Sequence, residues 1–166
     1  MVNGTNSYFD SIDVENLFQS WHSDIRKFTS NLNQECVLEI IKRTEIETFS
    51  PSNYREVLNF TNTRECKQIL SRVLREKDTN NFLTILKERD LIHPRDIERG
   101  YSIEQILELV KTDTYHPILF LHLDKKYYII DGRTRFYCCI FYNIPAKVRI
   151  LYDYEILNKC KINKKN

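Results

Sequence analysis

The 166 residues are 42% hydrophobic and 29% charged, which is enough to bury a core and too apolar for a disordered chain. Only three glycines and four prolines are present, which excludes a turn-rich all-β sandwich. The net charge of +2 hides a division, because residues 1–90 carry 12 Lys/Arg against 14 Asp/Glu and residues 91–166 carry 13 against 9, a weak positive field that suits a phosphate-bearing ligand without demanding one.

The first half reads as helices. Val14, Leu17, Phe18, Trp21, Ile25, Phe28 and Leu32 recur at steps of three and four and so share one helical face. Cys36, Val37, Ile40 and Ile41 begin a second, shorter stripe. Ser50-Pro51 marks a helix start, since proline at the first helical position gives up no hydrogen bond. Asn62 with Glu65 resembles a capping box ahead of Ile69, Leu70, Val73 and Leu74. Phe82, Ile85 and Leu86 predict one more short helix after the polar break at Lys77–Asn81.

After Lys87 the pattern changes. Leu91-Ile92-His93-Pro94 reads as a short extended segment. Ser102 and Gln105 predict a capping box for a helix with Ile103, Ile106, Leu107 and Val110 inward. Pro117–Leu123 is a buried strand, Asp124-Lys125-Lys126 a tight turn, and Tyr127–Ile130 the second arm of a hairpin. Arg133–Tyr142 has the length of three helical turns, which Asn143 can close in a left-handed cap before Pro145. Ala146–Leu151 alternates as a last strand. The expected class is α+β: a helical region over residues 1–88, a small mixed sheet with helices over residues 89–155, and a basic tail over residues 156–166.

The loop Asp131-Gly132-Arg133-Thr134-Arg135 lies between a buried strand and a helix, where a binding site is physically favoured. Glycine permits a sharp turn and close approach of a ligand. The helix start presents backbone N–H groups and partial positive charge to an anion. Arg133 and Arg135 offer forked donors that match phosphate geometry. Thr134 can donate its hydroxyl or cap the helix, and Asp131 can bind a metal, orient an arginine or act as a base.

From His116-Pro117-Ile118, through Tyr128-Ile129-Ile130-Asp131-Gly132-Arg133-Thr134-Arg135, to Ile144-Pro145-Ala146-Lys147-Val148, the chain resembles the ParB/sulfiredoxin (ParB-like nuclease) superfamily. Members commonly read as a Pro-Ile strand, a hairpin, an Ile-Asp-Gly-x-x-Arg loop, an apolar helix and a Val-Pro-x-x-Val strand. The resemblance covers about sixty residues of the chain and implies a nucleotide, such as CTP or ATP, or another phosphorylated ligand at the loop, with Mg²⁺ as an accompanying cofactor. Gly132 and Arg135 carry over from the family pattern, with Asp131 next. Arg133 stands where sulfiredoxins place a catalytic cysteine and partition proteins a glutamate, and Thr134 stands where many members have histidine. Sulfinate reduction is therefore not implied. Kinase-like members also use an acidic residue near a Pro-His-Glu sequence. The comparable stretch Ile92–Glu98 puts Asp96 in that role with Glu98 in reserve, opposite the phosphate loop, to activate a hydroxyl or hold Mg²⁺.

His116, at the mouth of the same strand, is a further ligand-binding candidate. Tyr127, Tyr128, Phe136, Tyr137, Phe141 and Tyr142, with Lys125, Lys126, Lys147 and Arg149, would stack bases and hold phosphates if they are not simply core. Cys36, Cys66, Cys138, Cys139 and Cys160 form no CxxC pair and fit reduced, mostly buried thiols. No apolar run approaches transmembrane length and Met1–Asp10 lacks a signal-peptide pattern, so the expected location is cytoplasmic with no membrane partner.

The expected function is binding of a nucleotide or phosphorylated ligand at residues 131–135, with nucleotide hydrolysis, phosphoryl transfer or nuclease chemistry by Asp96 and Asp131 if the ligand is turned over. One alternative is a nucleic-acid-binding regulator of a plasmid or virus. The other is a protein-interaction module whose loop is inactive. A homodimer is compatible with each of the three.

Overall fold

The apolar run Ile118-Leu119-Phe120-Leu121 has no polar face because both of its faces are covered. In the computed structural model, which describes residues 30–60, 64–92 and 102–162, this run forms the inner strand β2 (Ile118–Leu123) of a four-stranded sheet. The other strands are β1 (Glu47–Phe49), β3 (Lys126–Asp131) and β4 (Ala146–Tyr152), and the spatial order is β1-β4-β2-β3. β2 runs parallel to β4, whereas β1 with β4 and β2 with β3 are antiparallel. The molecule is an α+β fold with a mixed sheet.

Strand alternation divides the core in two. Ile118, Phe120, Ile129, Val148 and Ile150 face one cluster, which also takes Tyr54, Val57, Leu70, Val73, Phe82, Ile85, Leu86, Ile106, Val110 and Phe136. These residues come from helices α2 (Tyr54–Phe60), α3 (Arg64–Arg75), α4 (Thr79–Ile92), α5 (Ile103–Lys111) and α6 (Arg133–Tyr142). Leu119, Leu121, Tyr128, Ile130 and Leu151 face the other cluster, closed by α1 (Gln34–Arg43) and α7 (Asp153–Cys160). On α1 the apolar stripe faces the core, with Val37, Ile40 and Ile41 buried while Glu35 and Glu39 are exposed, whereas α6 is buried on every side from Thr134 to Ile140.

Local chemistry sets the element ends. The Ser102–Gln105 capping box is present, with Gln105 N–H donating to Ser102 Oγ at 3.1 Å and Ser102 N–H to Gln105 Oε1 at 2.8 Å. Ser50-Pro51 starts a single 3₁₀ turn, Pro51–Asn53, that leads directly into α2. The β2–β3 hairpin turns on Asp124 and Lys125, both left-handed at φ 51° and 67°, as a two-residue turn with type I′ twist requires. Asn143 is left-handed at φ 55° and ends α6, with Ile144 N–H on Cys139 O and Asn143 N–H on Ile140 O, both at 3.1 Å. α5 ends in the same way. Asp113 is left-handed, Thr114 N–H donates to Leu109 O at 2.9 Å and Asp113 N–H to Val110 O at 3.1 Å.

The structure departs from the sequence reading at four places. Residues 47–49 form an edge strand rather than part of a helical region, so the sheet draws strands from both sides of residue 88. The extended segment expected at residues 91–92 is the end of α4, and residues 93–94 lie outside the described residues. Residues 156–160, expected in a basic tail, complete α7, whose Ile156 and Cys160 are buried. Cys36 and Cys160 are joined by a disulfide with Cα atoms 5.4 Å apart, although all five cysteines were expected as thiols. Cys138 and Cys139 are buried free thiols. The Trp21 stripe lies outside the described residues except for Leu32, which is buried and bridges Lys161. The capping residue Asn62 also lies outside them.

Candidate functional site

β3 delivers Asp131 to the sheet end, Gly132 turns the chain, and α6 begins at Arg133. Gly132 has φ 103° and ψ 31°, a conformation that costs an L side chain free energy and costs glycine none. Its O accepts the first helical hydrogen bond, from Phe136 N–H at 2.9 Å. There is a second reason for glycine here. A Cβ at this position would lie 2.9 Å from Arg135 Cζ and Nη2 and 3.0 Å from its Nε.

Arg135 is only 3% exposed. Its Nη1 donates to His116 O at 2.6 Å and Pro117 O at 3.1 Å, and its Nη2 pairs with Asp131 Oδ2 at 3.2 Å. One guanidinium thus fastens the end of β3, the first turn of α6 and the segment entering β2. Burial of such a charge is tolerated only when carbonyls and a carboxylate replace its water. Thr134 is buried as well, whereas Asp131, Arg133 and His116 are partly exposed. The loop residues therefore divide by position. Gly132, Thr134 and Arg135 shape the turn, and Asp131 and Arg133 reach its surface.

His116 meets the loop through its carbonyl on Arg135. Asp96 and Glu98 lie outside the described residues. Among the described residues no group of three or more His, Cys, Asp or Glu side chains could hold a metal ion. A separate cleft of about 320 Å³ is lined by Arg72, Arg75, Glu76, Asn81, Thr84 and Ile85, and no residue of the 131–135 loop lines it.

The aromatic set expected around the loop is mostly core. Phe136 and Tyr137 are fully buried, Tyr128 is nearly so, and Tyr127, Phe141 and Tyr142 pack at the core margin. Arg149 is buried on β4 and its Nη1 donates to Thr44 O, at the end of α1, where a cation complements the helix dipole. Lys147 pairs with Asp113 Oδ1 at 3.4 Å and lies 4.5 Å from the Tyr115 ring centroid.

Sequence reasoning missed Tyr115. Its Oη accepts from Lys147 N–H at 2.9 Å and from the Cys139 thiol at 3.5 Å, which locks the start of β4 to α6. Burial pushes the Tyr115 hydroxyl up, and burial also raises the Cys139 thiol to about 11, against the lowering effects of Tyr115, Arg135 and Lys147. A Tyr two residues after a left-handed helix end was the available signal. Tyr54 plays a similar part, donating its buried hydroxyl to Ile144 O beyond the far end of α6.

No helix among the described residues is long and apolar enough to cross a membrane. No family model, curated protein or solved structure matches the chain.

Proposed function

We propose that the protein is a ParB/sulfiredoxin-like protein that binds a nucleotide or another phosphorylated ligand at residues 131–135. The observation that carries this reading is the fastened turn at Gly132: a left-handed glycine opens a ten-residue helix, and the buried Arg135 holds that opening in place. A helix start held rigidly is a prepaid anion site, since its amides and dipole need no reordering when the ligand arrives.

In this reading Arg133, at the helix start and partly exposed, meets the phosphate. Gly132 and Thr134 shape the turn, His116 supports it, and Arg135 positions it. Asp131 and Asp96 are the carboxylates for nucleotide hydrolysis, phosphoryl transfer or nuclease chemistry, and Mg²⁺ would supply charge neutralisation on the phosphates.

The test is a thermal-shift screen of the full chain against CTP, ATP, GTP and ADP, with and without Mg²⁺, beside Arg133→Ala. A ligand at a hundred times its dissociation constant adds about 2.7 kcal/mol to the folded state. The expected result is a raised midpoint with one nucleotide, measured against each protein's own unliganded midpoint, that is lost in Arg133→Ala. No shift with any nucleotide would sink the reading. Arg135→Ala is a poor probe of contact, because it removes the fastening of the turn itself.

A further inference from the structure

The sheet face that carries Phe120, Ile129 and Ile150 continues beyond the helices that cover it. Two residues further along the strands, on the same face, stand His122 on β2, Tyr127 on β3 and Tyr152 on β4. Phe120 and Ile150 are 0% and 2% exposed, whereas all three residues of the next row are partly exposed. His122 is the register partner of both Tyr127 and Tyr152. Ring centroids are 4.7 Å apart from His122 to Tyr127 and 5.6 Å from His122 to Tyr152, and Tyr154 extends the row at 5.8 Å from Tyr152. Tyr154 is 64% exposed and Ile46, beside β1, is 50% exposed.

Carboxylates act on these rings. Glu47 lies on β1 two residues from the inward Phe49, hence on the same face. Burial raises the hydroxyls of Tyr127 and Tyr152, and Glu47 adds to both shifts, with Glu56 of α2 adding to Tyr127. Glu47 and Glu56 are exposed and form no ion pair among the described residues. A third carboxylate, Asp153, is already engaged, with Oδ2 accepting from Asp124 N–H at 3.2 Å and Oδ1 from Tyr154 N–H at 2.8 Å. Lys125 and Lys126 are the cations of the adjoining hairpin, and Lys126 alternates to the opposite face from Tyr127.

We infer that the row Tyr127–His122–Tyr152–Tyr154, flanked by Glu47 and Glu56, is a docking surface for lysine side chains of a basic protein segment. Ring faces attract an ammonium through their quadrupoles, and unengaged carboxylates beside them supply the counter-charge. The same carboxylates repel phosphate, which disfavours a nucleic acid on this row although the rings alone would suit one. This surface is independent of the 131–135 loop, so neither reading depends on the other.

The experiment is an NMR titration of the tyrosine ring resonances of the full chain with blocked tetralysine, with tetramethylammonium and with (dT)10 at equal ionic strength. Tetralysine is expected to shift Tyr127, Tyr152 and Tyr154 saturably, at least tenfold more tightly than tetramethylammonium. Glu47→Gln and Tyr152→Leu should each weaken it fivefold or more, with melting midpoints close to the parent's. Tetralysine affinity unchanged in both variants would overturn the proposal. So would tighter binding of (dT)10 to the same rings, and equal affinity for tetramethylammonium would replace the protein segment by a small free cation. Tyr154→Ala, at an exposed position, provides a second variant if Tyr152→Leu does not fold.

Discussion

The guanidinium of Arg135 occupies the space beside Gly132 that a side chain would need, with Cζ 2.9 Å from the position of the absent Cβ. The two residues are a matched pair, since the glycine admits the arginine and the arginine braces the turn that only glycine adopts without strain. Gly132→Ala should therefore destabilise the fold by about 2 kcal/mol, from left-handed strain together with displacement of the guanidinium. Urea unfolding measures it, and a loss below a few tenths would contradict the pairing.

Arg135→Lys should fare almost as badly as Arg135→Ala, at about 3 kcal/mol or more. A single ammonium cannot serve His116 O, Pro117 O and Asp131 Oδ2 with the fixed fork that reaches all three. Denaturant midpoints of the two variants within about 1 kcal/mol of each other are expected, and near-parental stability of the lysine variant would show that charge alone suffices.

Lys125→Gly should stabilise the protein by about 0.5–1 kcal/mol, because Lys125 has φ 67° in the hairpin turn and glycine carries no penalty there. Asn143→Gly should act in the same direction at the end of α6. Thermal melts of each variant would check both, and a lowered midpoint for Lys125→Gly would show that its side chain contributes more than its backbone costs.

Cys36 and Cys160 tie α1 to α7 across 124 residues of sequence, so Cys160→Ser should cost about 2–4 kcal/mol under oxidising conditions. With a strong reductant present, parent and variant should converge to within about 1 kcal/mol, since both then lack the cross-link. A parent whose urea midpoint does not respond to the reductant would indicate that the cross-link adds nothing to stability.

Stability should decline in alkali. The buried Cys139 thiol has its pKa raised from 9.0 to about 11, and burial raises the hydroxyls of Tyr54 and Tyr115 above 10.0. A folded state that holds these protons longer than the unfolded chain loses stability as pH passes the unfolded values, so the loss opens near pH 9 and grows beyond 10. Melting midpoints flat to about pH 8.5 and falling above it are expected. The free thiols should also resist alkylation at pH 8 until the protein is unfolded.

The hairpin, α6 and β4 were legible because period and turn chemistry agree there: a run buried on both faces, two turn residues, a helix length and an asparagine at its end. β1 was not, since Glu47-Thr48-Phe49 offers one apolar residue and no alternation to detect. Arg135 reads in sequence as a donor for a ligand, because its burial depends on carbonyls nineteen and eighteen residues away. The disulfide was hidden for the same reason, its partners being brought together only by the packing of α1 against α7. Asp131, Arg133 and His116 are at or beside the expected loop in space, and Asp96 falls outside the described residues.

The strand order has a consequence for how the chain is made. Among the described strands β4 is the one that joins β1 to β2, and it is synthesised after the other three. Until residues 146–152 emerge, β1 has no partner and β2 presents an open edge beside its hairpin mate β3. A nascent chain arrested before residue 146 would carry the apolar strand β2 with one flank bare, the state in which edge-to-edge association competes with folding.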